Sequence, residues 1–310
     1  MNIDTWQDAQ VLVTGARGFV AGHLCRHLLQ AGAVVHGISR DPNALDGSGV
    51  RGWRADLTQI AEVRHIIATT APRVVFHLAG HVTGSQQLAE VIPAFETNLT
   101  STVNLLTATA DRPHCRVVLA GSMQEPDWQA GGAIPSSPYA ASKWAAAGYA
   151  RMFHALYQAP VIIARMMLVY GPGQWQRWKL LPSVIESLLQ GTAPRLTSGT
   201  REVDWVYVDD IARGLMTLAS SPNVEGRTID LGSGRLVSIR RVVEEIRDII
   251  GSDVMPLFGA IPDRPFEFPC AARVAETRRL TGWEATTPLR AGLAQMVDWH
   301  RHVAAAETPV

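Results

Sequence analysis

The chain has 310 residues, 47% of them hydrophobic and 18% charged, and its 28 Lys plus Arg balance 28 Asp plus Glu, for a pI near 7.2. That size suits one large or two intimate domains with a substantial core. Zero net charge supplies no basic field for a nucleic acid and no bias towards a bilayer, and no apolar run is long enough to span one, so neither is expected as a partner. The amino end shows no basic segment followed by an apolar run, which makes the cytoplasm the expected location. Cys25, Cys115 and Cys270 lack any paired spacing. This argues against a disulfide framework or a zinc site; each cysteine is expected to be a small core residue, and no metal is expected.

In chain order, residues 9–166 alternate short β-branched runs with longer stretches of helical period. "AQVLVTG", "AVVHGIS", "RVVFHLAG", "CRVVLAGS" and "PVIIARMM" predict buried strands. Helices are predicted over Gly18–Ala31, Val91–Ala110 and Ser137–Tyr157. Such alternation is the pattern of an α/β, doubly wound parallel sheet with helices on both faces. After Gly171 the rhythm changes to a tryptophan-bearing loop, a helix at Leu181–Gln190, and a strand in "VDWVYVDD" that runs into "IARGLMTLA". One more strand in "RTIDLGSG", a helix at Ile239–Ile250, a proline-rich "IPDRPFEFPCA" and a last helical pattern follow. Residues 1–168 with 204–232 are read as the first domain, and 169–203 with 233–310 as a smaller, discontinuous α/β domain for substrate.

The glycines of "VLVTGARGFVAGHL" stand between a strand and a helix. Gly15 and Gly18 let the backbone turn tightly and approach a pyrophosphate, which the helix amino terminus attracts through free N–H groups and its dipole. The stretch resembles the "TGxxGFxG" signature of the extended short-chain dehydrogenase/reductase family, sugar-nucleotide-modifying enzymes among them, with Ala21 in place of the usual third glycine. "RADL", "FHLAG", "NLTSTVNLL", "VYGPGQ", "VDWVYVDD" and "TGW" follow in the family's order, so the resemblance covers nearly the whole chain. It implies a Rossmann domain whose dinucleotide lies among Gly15, Arg17, Gly18, Phe19, Val20, Ser39, Arg40, Asp56, Leu57, Leu78, Ala79, Gly80, Asn98 and Met166, with Tyr139 and Lys143 at its nicotinamide end. Two guanidinium groups, Arg17 and Arg40, suit a 2′-phosphate and make NADP the expected cofactor; Asp41 keeps NAD as the alternative.

Only two lysines occur, and Lys143 follows Tyr139 by four residues, a spacing that chance supplies roughly 0.03 times in such a composition. One helical turn apart on one face, the ammonium is expected to lower the phenol's pKa and so make Tyr139 a proton donor and acceptor. Ser122 ends a strand upstream, and in the resemblance it completes a Ser-Tyr-Lys catalytic set. Met123 and Gln124 stand where related sugar 4,6-dehydratases carry a carboxylate, and Glu125 comes one residue late, so dehydration is disfavoured. Reduction of a keto group on a nucleotide-linked sugar is the leading expectation. A 4-epimerase retaining NAD and a non-catalytic cofactor-sensing protein of the same fold are the alternatives.

Substrate contacts are expected from Ser122, Met123, Leu168, Trp175, Arg177, Lys179, Arg201 and Arg264. Leu168 and Val203 replace an asparagine and an arginine common in nucleotide-diphosphate binders, while Arg264 matches a phosphate-contacting position. The tryptophans of "GQWQRWK" are read equally as base-stacking groups or as core of the small domain. His23 and His27 read as a pair on a helix surface. Apolar helices at Val91–Ala110 and Ser137–Tyr157 suggest a homodimer.

Overall fold

Strands of a parallel sheet covered on both faces need apolar side chains in both directions, and "QVLVT", "VVFH" and "RVVLAGS" provide them. In the computed structural model, which describes residues 6–126 and 134–307, they form β1 (Gln10–Thr14), α1 (Phe19–Gln30), β2 (Val34–Ser39), β3 (Arg51–Arg54), α2 (Ile60–Thr70), β4 (Val74–His77), α3 (Val91–Ala94), α4 (Ser101–Thr109), β5 (Arg116–Ser122), α5 (Pro138–Tyr157) and β6 (Val161–Met166). Then come β7 (Leu168–Tyr170), α6 (Leu180–Leu189), β8 (Glu202–Tyr207), α7 (Val208–Ser220), β9 (Thr228–Leu231), β10 (Leu236–Ser238), α8 (Ile239–Ile250), α9 (Val274–Thr281) and α10 (Leu289–Glu307).

The main sheet runs β3-β2-β1-β4-β5-β6-β9, and the pairs from β3 to β6 are parallel. This is the expected doubly wound fold. The order reverses between β1 and β4, and in such sheets ligands lie beyond the carboxyl ends of the strands at that switch point. Thr14, His77 and Ser122 close β1, β4 and β5, so the glycine turn, the "LAG" loop and Ser122 open on one edge. Leu12, Val75, Leu119 and Ile163 fill the sheet's core together with Ala147, Ala150 and Phe153 of α5.

Local chemistry sets the helix ends. Ser137 Oγ accepts the Ala140 N–H at 3.1 Å, Pro138 occupies the first turn, and Gln158 closes α5 at φ 55°. The single helix expected over 91–110 is instead α3 and α4 joined by a π-helical stretch, Phe95–Thr100, a local widening of the helix that often marks functional sites. β3 carries no apolar alternation in "RGWR" and was not anticipated; it forms because it is an edge strand on β2.

Two compact units divide the chain: Met1–Met166 with Ala212–Asp230 and Ala275–Trp283, and Met167–Ile211 with Leu231–Val274 and Glu284–Val310. Residues 204–211 thus leave the expected first domain, because β8 pairs parallel with β7 and antiparallel with β10 in a separate three-stranded sheet. Residues 275–283 join the first unit, where Thr277 Oγ1 donates to the Asp230 carbonyl at 2.8 Å. The His23–His27 surface pair is also corrected: His23 is buried, edge-on to Phe19 and 2.7 Å from Arg26 Nη2. Cys25 and Cys115 lie in the core as expected, whereas Cys270 is half-buried in the proline-rich segment. Among the described residues, no cluster of His, Cys, Asp and Glu could hold a metal ion, and no helix is long and apolar enough to cross a membrane.

Asp204 is the polar keystone of the second unit. Fully buried, its carboxylate accepts the N–H and hydroxyl of Ser233 at 2.8 and 2.7 Å and the N–H groups of Gly234 and Ala272, each at 2.9 Å. An unsatisfied buried donor costs about 1–3 kcal/mol. Asp204→Ala is therefore expected to destabilise the second unit by about 3 kcal/mol or more, read as a lowered denaturant midpoint; an unchanged midpoint contradicts this role.

Candidate active site

Gly15 turns the chain at φ +66°, and a Cβ built there would stand 2.8 Å from Ala79 Cα and 2.9 Å from Ala79 N. The turn after β1 therefore packs directly on the loop after β4. Thr14 Oγ1 bridges the two, accepting the Ala79 N–H at 3.0 Å and pairing with His77 Nδ1 at 2.8 Å. His77 is fully buried, and burial, followed by the charge of Lys143, pushes its pKa down to about 3, so the ring is neutral. Gly18 begins α1 with no side chain to cap it, and no acidic residue occupies the first turn. An anion at Phe19 and Val20 would thus meet free backbone N–H groups at the positive end of the helix dipole. These features fit the pyrophosphate of a dinucleotide.

At the far end of β2, Arg17 Nη1 lies 3.2 Å from Asp41 Oδ2, an exposed pair, and Ser39 Oγ accepts the Asp41 N–H at 3.2 Å. Arg40 is exposed beside them. Asp56 Oδ1 accepts both the N–H and the hydroxyl of Thr58, at 2.9 and 2.8 Å, while the Leu57 carbonyl accepts from Asn104 at 3.0 Å. Asn98, on the π-helical stretch, is almost entirely buried and works inward: it donates to the His81 carbonyl at 3.2 Å and Ser142 Oγ at 2.9 Å, and accepts the His81 N–H at 2.7 Å. Both its amide hydrogens are used in holding the loop after β4, which makes it a scaffold residue of the site. A Cβ on Gly80 would meet Asn98 Oδ1 at 3.0 Å and Lys143 Nζ at 3.6 Å. Leu78, Ala79 and Gly80 are half-buried around this point, and Met123 N–H donates to the Met166 carbonyl at 3.0 Å.

Tyr139 and Lys143 rise from the first two turns of α5, and both are buried. Ser122 Oγ accepts the Gln124 N–H at 3.2 Å and stands close enough to the Tyr139 phenol to bear on its pKa. Lys143 Nζ donates to the Ala120 carbonyl at 3.0 Å. The expected lowering of the phenol by lysine is not found: burial pushes Tyr139 up to about 12, opposed by Ser122 and reinforced by Glu125. Desolvation is the largest cause, and Lys143 is not among the groups that shift the phenol; its ammonium is directed at a backbone carbonyl. At rest the phenol is protonated. Burial also pulls Lys143 down to about 8, with Glu125 opposing. Glu125, outside the expected set, accepts the Ser122 N–H at 2.6 Å. Its signal in the sequence was only a carboxylate one residue beyond the position that dehydration would need.

In the second unit, Leu168 lies on β7. Trp175 and Trp178 are 58% and 72% exposed, meeting edge-to-face at 6.1 Å. They do not close the small core. Arg177 pairs with Glu186 at 3.2 Å. Arg201 and Arg264 converge on one carboxylate, Glu267, at 2.7 and 4.0 Å, and both burial and Arg264 lower the Lys179 pKa. Arg201 and Arg264 thus share the Glu267 carboxylate, and Lys179 feels the charge of Arg264.

The profile of the NAD dependent epimerase/dehydratase family matches residues 11–232. The chain belongs to that family. Its enzymes are of the short-chain dehydrogenase/reductase class, as the motifs implied. UDP-glucuronate 4-epimerase of Thermodesulfobacterium geofontis is 26% identical over 312 residues, covering 94% of this family member and 95% of that protein. dTDP-glucose 4,6-dehydratase of Neisseria gonorrhoeae is 26% identical over 331 residues, with 94% and 95% covered. Among solved structures, MoeE5 in complex with UDP-glucose and NAD superposes with a TM-score of 0.84 at 29% identity, covering 96% of this chain and 100% of that one. The UDP-glucose 4-epimerase of Thermotoga maritima shares the fold with a TM-score of 0.86 at 21% identity, covering 95% and 99%. Three of these similar proteins are named as epimerases or a dehydratase, and MoeE5 is named with UDP-glucose and NAD.

Proposed function

We propose that this epimerase/dehydratase-family protein is an NAD-dependent nucleotide-sugar 4-epimerase that uses Ser122, Tyr139 and Lys143. The observation that carries the reading is the meeting of Ser122 at the end of β5 with a buried Tyr139 and a buried Lys143, beside the glycine-lined turn at one sheet edge. Dehydration needs an additional acid or base at the sugar; Met123 and Gln124 offer none, and Glu125 is spent on the Ser122 N–H. NAD is favoured over NADP because Arg17 faces the Asp41 carboxylate, and an acid at that end of β2 suits a ribose hydroxyl. Two of the similar proteins support a UDP-sugar, one by its name as UDP-glucuronate 4-epimerase and MoeE5 by its complex with UDP-glucose and NAD, while the dehydratase at 26% identity is named for a dTDP-sugar.

The pyrophosphate would rest on the Gly15–Gly18 turn and the amino end of α1, and the nicotinamide half beside Gly80 and Lys143. When bound, the nicotinamide supplies the electron-pair acceptor and donor for the sugar carbon. Ser122 orients the sugar oxygen through its hydroxyl. Tyr139 takes the proton from that oxygen and returns it, and Lys143 supplies the positive charge that makes a phenolate tolerable in a buried site. Taken by itself, the second unit offers Lys179, Arg201 and Arg264, cations of a kind that suits a diphosphate, and exposes Trp175 and Trp178, rings of a kind that suits a base.

A second reading, NADPH-dependent reduction of a nucleotide-linked keto sugar, draws on Arg17 and Arg40 at the end of β2. One panel separates the two: UDP- and dTDP-hexoses and hexuronates with NAD, and the corresponding keto sugars with NADPH, followed by NMR. The proposal expects epimers from the first set. NADPH consumption with the second set alone supports reduction, and cofactor binding without any turnover supports a sensing role.

A homodimer is part of the proposal. Ile92 and Phe95 are 60% and 52% exposed on α3 and the π-helical stretch, which pack on α5, itself exposing Tyr149. Sedimentation at micromolar concentration is expected to give a dimer; a monomer there rejects it.

A further inference from the structure

β5 overhangs β4. The last paired residues of the two strands are His77 and Leu119. Val117 and Met123 send their N–H groups to Pro160 and Met166 on the β6 side. Backbone groups alternate along an extended strand, so the Ala120 C=O and the Ser122 N–H both point to the opposite side, beyond the end of β4. Buried backbone groups need partners. Lys143 Nζ donates to the Ala120 carbonyl at 3.0 Å, and the Ser122 N–H donates to Glu125 Oε1 at 2.6 Å. Gly121 admits this arrangement, since a Cβ there would stand 2.9 Å from the same carboxylate oxygen. An ammonium and a carboxylate therefore finish one strand edge two residues apart, the first at Ala120 and the second at Ser122 itself.

We propose that Glu125 is a positioning residue of this site: its carboxylate fixes Ser122 through the backbone and is the counter-charge of Lys143, so that it sets the pH window of the Ser122–Tyr139–Lys143 set. The inference rests on the reading of those three residues as catalytic. Burial raises Glu125 to about 7, against the Ser122 N–H and the charges of Lys143, Arg165 and Arg151. Glu125 in turn holds Lys143 up and adds to the rise of Tyr139. The groups facing it are Tyr139, Lys143 and Arg151 from α5 and Arg165 from β6, the last bonded to Asp230 of β9 at 2.7 and 2.9 Å. Removing the carboxylate's charge deprives the ammonium of its partner, and Lys143 falls. It also deprives the phenolate of a repelling neighbour, and Tyr139 falls. Both limbs of the activity profile then move to lower pH, whereas a merely structural loss would scale the rate without moving them.

The two lysines, Lys143 and Lys179, make a direct test practical. Protein carrying 13C at lysine Cε shows two resonances, which Lys179→Arg assigns. In Glu125→Gln, Lys143 is expected to titrate roughly one pH unit lower than in the wild type, with both limbs of the turnover profile displaced the same way. Glu125→Asp is expected to keep the wild-type window at reduced kcat. A Lys143 titration unmoved in Glu125→Gln with wild-type cofactor affinity overturns the proposal. Wild-type protein provides a check that needs no variant, because its Lys143 resonance should show a second inflection as Glu125 ionises near pH 7; a single inflection overturns it. If no nucleotide sugar is turned over, the catalytic reading fails while the lysine titration still decides the pair.

Discussion

Tyr139→Phe is expected to lower nucleotide-sugar turnover by about 10²–10⁴-fold, the span over which a positioned proton donor and acceptor acts. Cofactor affinity should stay near that of the wild type. The phenol is buried, close to Ser122 and pushed up to about 12, so it holds its proton firmly at rest. That suits delivery of a proton to a sugar oxygen. Taking one up again needs the positive charge of Lys143, whose ammonium persists below its pKa of about 8. Phe keeps the ring's packing against α5 and β5 and removes only the hydroxyl, leaving the Ser122 hydroxyl without that neighbour. Steady-state kinetics beside a cofactor titration check this; loss of affinity with undiminished kcat assigns Tyr139 to binding instead.

Gly15→Ala is expected to weaken NAD binding by roughly tenfold or more and to destabilise the first unit. Two costs add. A non-glycine residue at φ +66° bears about 1–2 kcal/mol, and overpacking adds about 1–3 kcal/mol. The neighbour cannot retreat freely, because Ala79 is held by Thr14 Oγ1, which is paired with buried His77, whose Nε2 in turn lies 3.3 Å from Ser101 Oγ. About 1.4 kcal/mol is a tenfold change in affinity. Gly18→Ala is expected to be milder, since its Cβ would meet a single carbonyl oxygen, that of Gly15, at 3.0 Å. Calorimetric titration of both variants tests the order; equal affinities for Gly15→Ala and the wild type contradict a close-packed turn.

Much of the fold is written in patterns that act locally. Continuous β-branched runs become β1, β4, β5 and β6 because both faces of a parallel sheet are covered, and Ser137 with Pro138 marks the start of α5. β3 escapes such a reading, since "RGWR" is a strand only by virtue of its pairing with β2. The division of the chain escapes it too. β8 resembles any buried strand in sequence, and only its pairing with β7 and β10 assigns it to the small sheet.

The same limit applies to the site. Tyr139, Lys143 and the glycines have fixed spacings that chemistry dictates, and the sequence reading found them. The charge balance around them is long-range. Burial, which spacing does not report, reverses the expected shift of Tyr139, and Glu125 enters only because the chain turns back on Ser122 after β5. Arg17 and Arg40 are anticipated at the ribose end from sequence, and the structure adds Asp41, whose carboxylate meets Arg17 and changes what that end of β2 can select.

In a 4-epimerase of the proposed kind the sugar's carbinol carbon is oxidised and reduced within the site, so that its carbon-bound hydrogen never reaches solvent. NMR of UDP-hexose or UDP-hexuronate incubated with the protein and NAD in heavy water tests this most directly. Interconversion of the C4 epimers with no deuterium at C4 is expected. Deuterium appearing at C4, or epimers forming without NAD in cofactor-free protein, would contradict it.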